Sequence, residues 1–198
     1  MIKAIVFDLD GMVYIVEELF STHFSREFNV PLEEILEFFK KDFHTCQENK
    51  VDMKEALKKY LQKWKWTQGV DKLLKYWYEE GGLNKEMINI IKKLRKRGII
   101  CILCTNNEKY RMNYIKKKYK IDEIFDYIIT SCDIGVRKPN KRMLDKILEI
   151  TKLRQEEIVF FDDKQEVVDA IKELGFVSLI YKDMDDFKKK LGVLGIKI

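Results

Sequence analysis

The chain has 198 residues, 46% hydrophobic and 36% charged, which describes a folded protein with a full core and excludes a disordered one. A net charge of +5 is too modest to mark a nucleic-acid binder, and the densest basic run, Lys116-Lys117-Lys118-Tyr119-Lys120, falls at a predicted helix end where cations offset the dipole. No apolar stretch reaches the ~18 residues of a membrane span, and Met1-Ile2-Lys3 runs directly into strand residues without a signal peptide, so the expectation is a cytoplasmic protein, a monomer or weak dimer, with neither nucleic acid nor membrane as partner.

The first strand is the apolar run Ile5-Val6-Phe7, closed by Asp8-Leu9-Asp10-Gly11. The stretch 15–80 carries no strand signal and reads as helices over 17–29, 31–46, 52–64 and 67–79. Gly81-Gly82 marks the return to the core and offers a hinge. A helix follows over 84–98, with Asn84 and Gly98 as its caps and Met87, Ile90, Ile91 and Leu94 on one face. Strand 99–104 leads into Thr105-Asn106-Asn107, and a helix runs from there to 119. Strand 126–130, helix 140–151, strand 158–161, helix 164–174, strand 177–181 and a short helix over 184–191 complete the chain.

This alternation predicts an α/β fold, a doubly wound, Rossmann-like parallel sheet. Asp8 and Thr105 belong on neighbouring strands yet stand about 95 residues apart, where a βαβ unit needs roughly 30. The excess is a small all-helical cap inserted after the first strand. The expected division is a core of residues 1–14 and 81–198 and a cap of residues 15–80.

The four cysteines read as buried free thiols. Cys101 and Cys104 form a C-x-x-C, but positions three apart in a strand face opposite ways. His23 and His44 find no third partner for a zinc site. The aromatic residues of the insert recur at helical spacing and read as its core, with Tyr14 and Trp77 as candidates to contact a sugar ring.

Four polar clusters each close an apolar run: Asp8-Leu9-Asp10-Gly11, Thr105-Asn106-Asn107, the loop Gly135-Val136-Arg137-Lys138-Pro139, and Asp162-Asp163-Lys164. Ligands of open α/β sheets sit beyond the carboxyl ends of the strands, so the four converge on one crevice. Paired carboxylates near a core call for a compensating cation. Taken singly, Thr105 reads as a helix cap, Lys138 as a loop lysine and Asp162-Asp163 as a helix start. Together they supply carboxylates, a hydroxyl, backbone amides and a lysine, a set suited to phosphoryl transfer.

In order and context these motifs resemble the haloacid dehalogenase superfamily, and the G-x-x-K-P and F-F-D-D-K forms resemble its small-cap sugar-phosphate phosphatases, bacterial glucose-1-phosphatases among them. The resemblance implies that the first strand is central, flanked by those ending at Thr105 and Asp163. It implies an Mg²⁺-dependent phosphatase acting on a small phosphate monoester, most readily a sugar phosphate, through an aspartyl-phosphate. In that reading Asp8 is the nucleophile, and Asp10, on the same strand face, is the general acid and later the base. Thr105 and the amides of Asn106 and Asn107 at a helix start bind phosphate, and Lys138 offsets charge. Mg²⁺ is held by Asp8, the backbone carbonyl of Asp10 and Asp163, with Asp162 beside it.

Two positions depart from the pattern. Met12 stands where Thr or Val is usual, and Val167 where many relatives carry Asp or Asn, a role Glu166 could take over. A dehalogenase of the same superfamily would need neither Asp10 nor a metal, whereas a phosphosugar mutase would use the same residues. A non-enzymatic phospho-receiver module also combines aspartates, Thr and Lys, but places its acidic pair on the first strand and its acceptor on a later one, with no helical insert.

Overall fold

The computed structural model describes residues 1–197. In chain order its elements are β1 (Ala4–Phe7), β2 (Tyr14–Ile15), α1 (Phe20–Phe28), α2 (Leu32–Lys41), α3 (Phe43–Gln47), α4 (Met53–Lys58), α5 (Val70–Glu79) and β3 (Gly82–Leu83). There follow α6 (Lys85–Lys96), β4 (Ile100–Thr105), α7 (Lys109–Tyr119), α8 (Ile121–Ile124), β5 (Tyr127–Thr130), α9 (Ser131–Ile134) and α10 (Lys141–Thr151). The chain closes with β6 (Ile158–Asp162), α11 (Gln165–Glu173), β7 (Val177–Ile180) and α12 (Met184–Val193).

Five strands form one parallel sheet in the order β5-β4-β1-β6-β7. β1 is central, as the resemblance implied, because all four of its residues are buried on both faces. Ile5 and Phe7 join the core beneath α6, α7, α8 and α12. Ala4 and Val6 join the opposite core beneath α10 and α11. Cys101 lies in the first of these cores and Cys104 in the second. All four cysteines are free and buried, and burial pushes the thiols of Cys101 and Cys104 up to about 12, which leaves them unreactive. No helix among the described residues is long and apolar enough to cross a membrane.

The helices α1–α5 close around their own aromatic core, built on Phe24, Phe38, Trp64, Trp66 and Leu73. Phe20 stacks on Trp77 with ring centroids 4.5 Å apart. The segment 15–80 is not wholly without strand: Tyr14–Ile15 pairs antiparallel with Gly82–Leu83, so a two-residue ribbon joins the helical unit to the sheet. The single helix expected over 31–46 is broken at Asp42, whose carbonyl accepts from the amides of Thr45 and Cys46 at 3.1 and 3.2 Å and starts α3 afresh. The helix expected over 52–64 ends at Lys58, and the one expected from 67 begins only at Val70, after Gly69 in the left-handed region.

Candidate active site

The ends of β1 and β6 and the loop after α9 place the first group of polar side chains together. Asp8 follows β1 directly, its amide donating to the Phe161 carbonyl at 3.0 Å. Asp162 ends β6, and Lys138 arrives from the loop after α9. The Lys138 Nζ donates to Asp8 Oδ1 and to Asp162 Oδ2, both at 2.7 Å. All three side chains are buried, and one oxygen from each of Asp8, Asp162 and Asp163 lies within 4.8 Å of the others.

That crowding shows in the acidities. Burial, resisted by Lys138 and reinforced by Asp162 and Asp10, pushes the Asp8 carboxyl up to about 7. Burial and then Asp162 raise that of Asp163 as well. Burial works against the charge on Lys138, but Asp8 and Asp162 more than offset it and hold the ammonium charged. An all-oxygen set with surplus negative charge fits a hard divalent cation such as Mg²⁺. Gly11 allows the close packing here: its φ is +77°, and a Cβ on it would stand 2.4 Å from Asp163 Oδ2.

Asp10 departs from the expectation. It does not continue β1, which ends at Phe7; it stands just before the turn over residues 11–13 that leads into β2, bridged to Tyr14. Its carboxylate is held from the side of α7. Arg111 grips it with both terminal nitrogens, Nη1 reaching Oδ2 at 2.8 Å and Nη2 reaching Oδ1, and Asn107 Nδ2 donates to Oδ2 at 2.9 Å. Burial opposes its charge, yet Arg111 and Asn107 together outweigh burial and hold the Asp10 carboxyl below the usual range. The Arg111 guanidinium also lies over the Tyr14 ring, 5.2 Å from its centroid. Sequence reasoning missed Arg111; the available signal was its i,i+4 spacing from Asn107, whose Oδ1 accepts from Nη1 at 2.6 Å.

The loop after β4 is also built differently from expectation. α7 begins at Lys109 with Glu108 as its cap, so Asn106 and Asn107 precede the helix. The Asn107 amide donates to Ser131 Oγ at 3.0 Å and is therefore already engaged. The Asn106 side chain clasps the backbone of Lys138, accepting from its amide at 2.7 Å and donating to its carbonyl at 3.2 Å. Thr105, buried, accepts from Asn107 Nδ2 at 2.9 Å and lines the cavity. From the helical unit, Gln47 Nε2 donates to the Asn106 carbonyl at 2.6 Å. Val167 packs in the core, Glu166 is exposed and Met12 is wholly buried.

These groups form the polar floor of a cavity of about 480 Å³. Its other wall comes from the helical unit and the ribbon: Val16, Leu19, Phe20, Leu36, Phe39 and Trp77. Tyr14 and Trp77, the two candidate ring contacts, both line it. His23 instead pairs with Glu80 and Glu27. A set of anionic and cationic groups at the floor of a pocket with an apolar wall can bind a charged head and an organic body together.

Residues 2–175 match the family model described as haloacid dehalogenase-like hydrolase. The chain belongs to that family. The chain is 26% identical over 124 residues to bifunctional epoxide hydrolase 2 of Sus scrofa, covering 60% of the chain but only 22% of that protein. It is 22% identical over 185 residues to the GMP/IMP nucleotidase YrfG of Escherichia coli, covering 88% of the chain and 80% of YrfG. It is also 27% identical over 97 residues to the sesquiterpene phosphatase astK of Aspergillus oryzae, about half of each chain. The chain thus spans about a fifth of the epoxide hydrolase and half of astK. Among solved structures, the HAD family enzyme bt-2542 of Bacteroides thetaiotaomicron superposes with a TM-score of 0.82 at 16% identity, over 96% of this chain and 98% of that one. The same enzyme in complex with magnesium and inorganic phosphate gives 0.79 at 18% identity, over 94% and 99%. At that identity the likeness establishes the fold.

Proposed function

We propose that this hydrolase is an Mg²⁺-dependent phosphatase that cleaves small phosphate monoesters through an aspartyl-phosphate on Asp8. The observation that carries this reading is the convergence of Asp8, Asp10, Thr105 and Lys138 on one cavity floor beside the acidic cluster. A magnesium-bound relative and two relatives named as phosphatase or nucleotidase support it.

Asp8 attacks phosphorus while the ester oxygen departs, which divides a slow hydrolysis into two displacements. Asp10 protonates the departing oxygen and then takes a proton from the water that releases phosphate. Lys138 and the Thr105 hydroxyl neutralise and orient the phosphoryl oxygens, and Asn106 holds the Lys138 backbone in place. Mg²⁺ is the cofactor, held by Asp8, the Asp10 carbonyl and Asp163 with Asp162 nearby; when bound it supplies positive charge that lets an anionic nucleophile approach an anionic substrate. Helices α1–α5, within residues 15–80, serve as a cap over a core of residues 1–14 and 81–198. Sugar phosphates, nucleoside monophosphates and phosphates of apolar alcohols all present the same group to Asp8.

The test is phosphate release from a mixed panel of monoesters, with and without Mg²⁺, by wild type and Asp8→Asn. Turnover that requires both the cation and Asp8 is expected. Release that survives Asp8→Asn would remove the covalent mechanism. A folded, Mg²⁺-binding protein that releases phosphate from nothing would remove the phosphatase reading.

A further inference from the structure

The cavity above the phosphate floor is apolar, and we infer that the alcohol released by this enzyme is apolar too: the substrate is the phosphate monoester of an alkyl or aryl alcohol rather than of a sugar. This inference rests on the phosphatase reading and narrows it. Phe20, Leu36, Phe39 and Trp77 line the same cavity as Asp8 and Lys138, and the rings of Phe20, Phe39 and Trp77 pack on one another. Phe39 and Trp77 pack edge to face at 5.3 Å and are only partly buried, so their remaining surface is available to a ligand. Leu19 lines the same cavity and is 66% exposed, so its side chain is available to a ligand. An apolar body on this wall leaves water from both sides, and that is the driving force the site offers.

The polar groups on the wall argue against a polyol. Glu80 is engaged by His23, whose Nδ1 lies 2.5 Å from one of its two carboxylate oxygens. Gln47 spends its amide hydrogens on the Asn106 carbonyl, leaving its buried Oε1 as an unpartnered acceptor. Besides Gln47, Ser21 and Arg137, whose buried Nε also lacks a partner, line the cavity. These groups can pair with hydroxyls that come near them, but Phe20, Leu36 and Phe39 offer a ligand no hydrogen-bonding atom. A hexose brings several hydroxyls around its whole ring, and those turned to Phe20, Leu36 and Phe39 would lose water without gaining a hydrogen bond. A single hydroxyl near the phosphate on an otherwise apolar body fits Gln47 and the wall together.

The experiment compares kcat/KM in Mg²⁺ for methyl phosphate, n-octyl phosphate held below its micelle concentration, 1-naphthyl phosphate, glucose 1-phosphate, glucose 6-phosphate and GMP. Octyl and naphthyl phosphate are expected to exceed methyl phosphate at least a hundredfold and the glucose phosphates and GMP at least tenfold, chiefly through KM. Leu19→Gln, an exposed change that leaves the core intact, is expected to lower the octyl-to-methyl ratio at least fivefold. A glucose phosphate or GMP turned over as well as the octyl ester overturns the inference and leaves the phosphatase reading standing. An octyl-to-methyl ratio near one, or one unmoved by Leu19→Gln, overturns the assignment of the apolar wall. No release from any ester, methyl phosphate included, removes the phosphatase reading and this inference with it.

Discussion

Arg111 and Asp10 form a bidentate ion pair across 101 positions of sequence, with the Arg111 guanidinium also lying over the Tyr14 ring. The pair does two things at once. It fixes the carboxylate in one orientation, and it favours the charged form, the base of the proposed mechanism, over the protonated form, its acid. Arg111→Gln is therefore expected to lower kcat roughly 10- to 100-fold, because a misplaced catalytic group costs about that much. It should also raise the Asp10 carboxyl, so protonated Asp10 persists to higher pH and the alkaline fall of the acid-dependent step moves upward. The pH–rate profiles of wild type and variant check both. Arg111→Lys keeps the charge without the fork and is expected to fall between them.

Lys138 sits between two buried carboxylates, donating to each at 2.7 Å. Lys138→Ala leaves Asp8 and Asp162 facing one another, and breaking a buried pair this way costs about 3 kcal/mol. In EDTA the variant is expected to melt well below wild type. Mg²⁺ should raise the variant's Tm more than the wild type's, since the cation then relieves the larger repulsion. Thermal unfolding of both proteins, with and without Mg²⁺, measures the difference. Equal Mg²⁺-dependent shifts would place the cation away from these carboxylates.

How far the sequence could be read depended on how local each cause was. The central strands were legible because Ile5-Val6-Phe7 and Ile158 to Phe161 are buried on both faces, and that burial writes continuous apolar runs. The converging polar clusters were legible because each stands at the end of such a run. The ribbon of Tyr14–Ile15 with Gly82–Leu83 was not, since two residues pairing across the whole insert leave no periodicity. The break at Asp42 was hidden for a similar reason: its carboxylate accepts from the Tyr60 hydroxyl at 2.6 Å, a contact made only in the packed unit. Asn106 and Asn107 were read as amides at a helix start. The helix begins only at Lys109, the Asn107 amide is taken by Ser131, and the two side chains hold Lys138 and Asp10, contacts that the sequence did not show. Their neighbours in sequence carry no sign of those partners.

Gly11 links backbone conformation to the acidic cluster. Its φ of +77°, and the mere 2.4 Å that would separate an added Cβ from Asp163 Oδ2, make alanine doubly unwelcome. The backbone strain alone costs roughly 1 kcal/mol. The obstruction falls on the end of a side chain, so Gly11→Ala is expected to fold and to relieve the clash by turning Asp163 aside. Mg²⁺ affinity measured by calorimetry should then weaken about tenfold or more, with Tm in EDTA reduced only modestly. A variant with wild-type Mg²⁺ affinity would take Asp163 out of the metal site.

Glu157 offers a pH test far from the chemistry. Its carboxylate accepts from Lys3 Nζ at 2.7 Å, tying the start of β1 to the turn before β6, and from the Arg154 amide at 3.0 Å. The Lys3 contact, then the Arg154 amide, lower its carboxyl from 4.5 to about 2. A carboxylate lowered on folding contributes stability that is fully present above the unfolded value, near 4.5, and is lost as pH falls through the folded value, near 2. Glu157→Gln cannot carry that charge. Its urea midpoint is therefore expected to lie below wild type by a constant amount from pH 7 to about 5.5, and the gap should narrow steadily as the pH is taken below about 4.5. A gap that stays constant into the acid range would mean that Glu157 stabilises the strand by packing and neutral hydrogen bonding rather than by its charge.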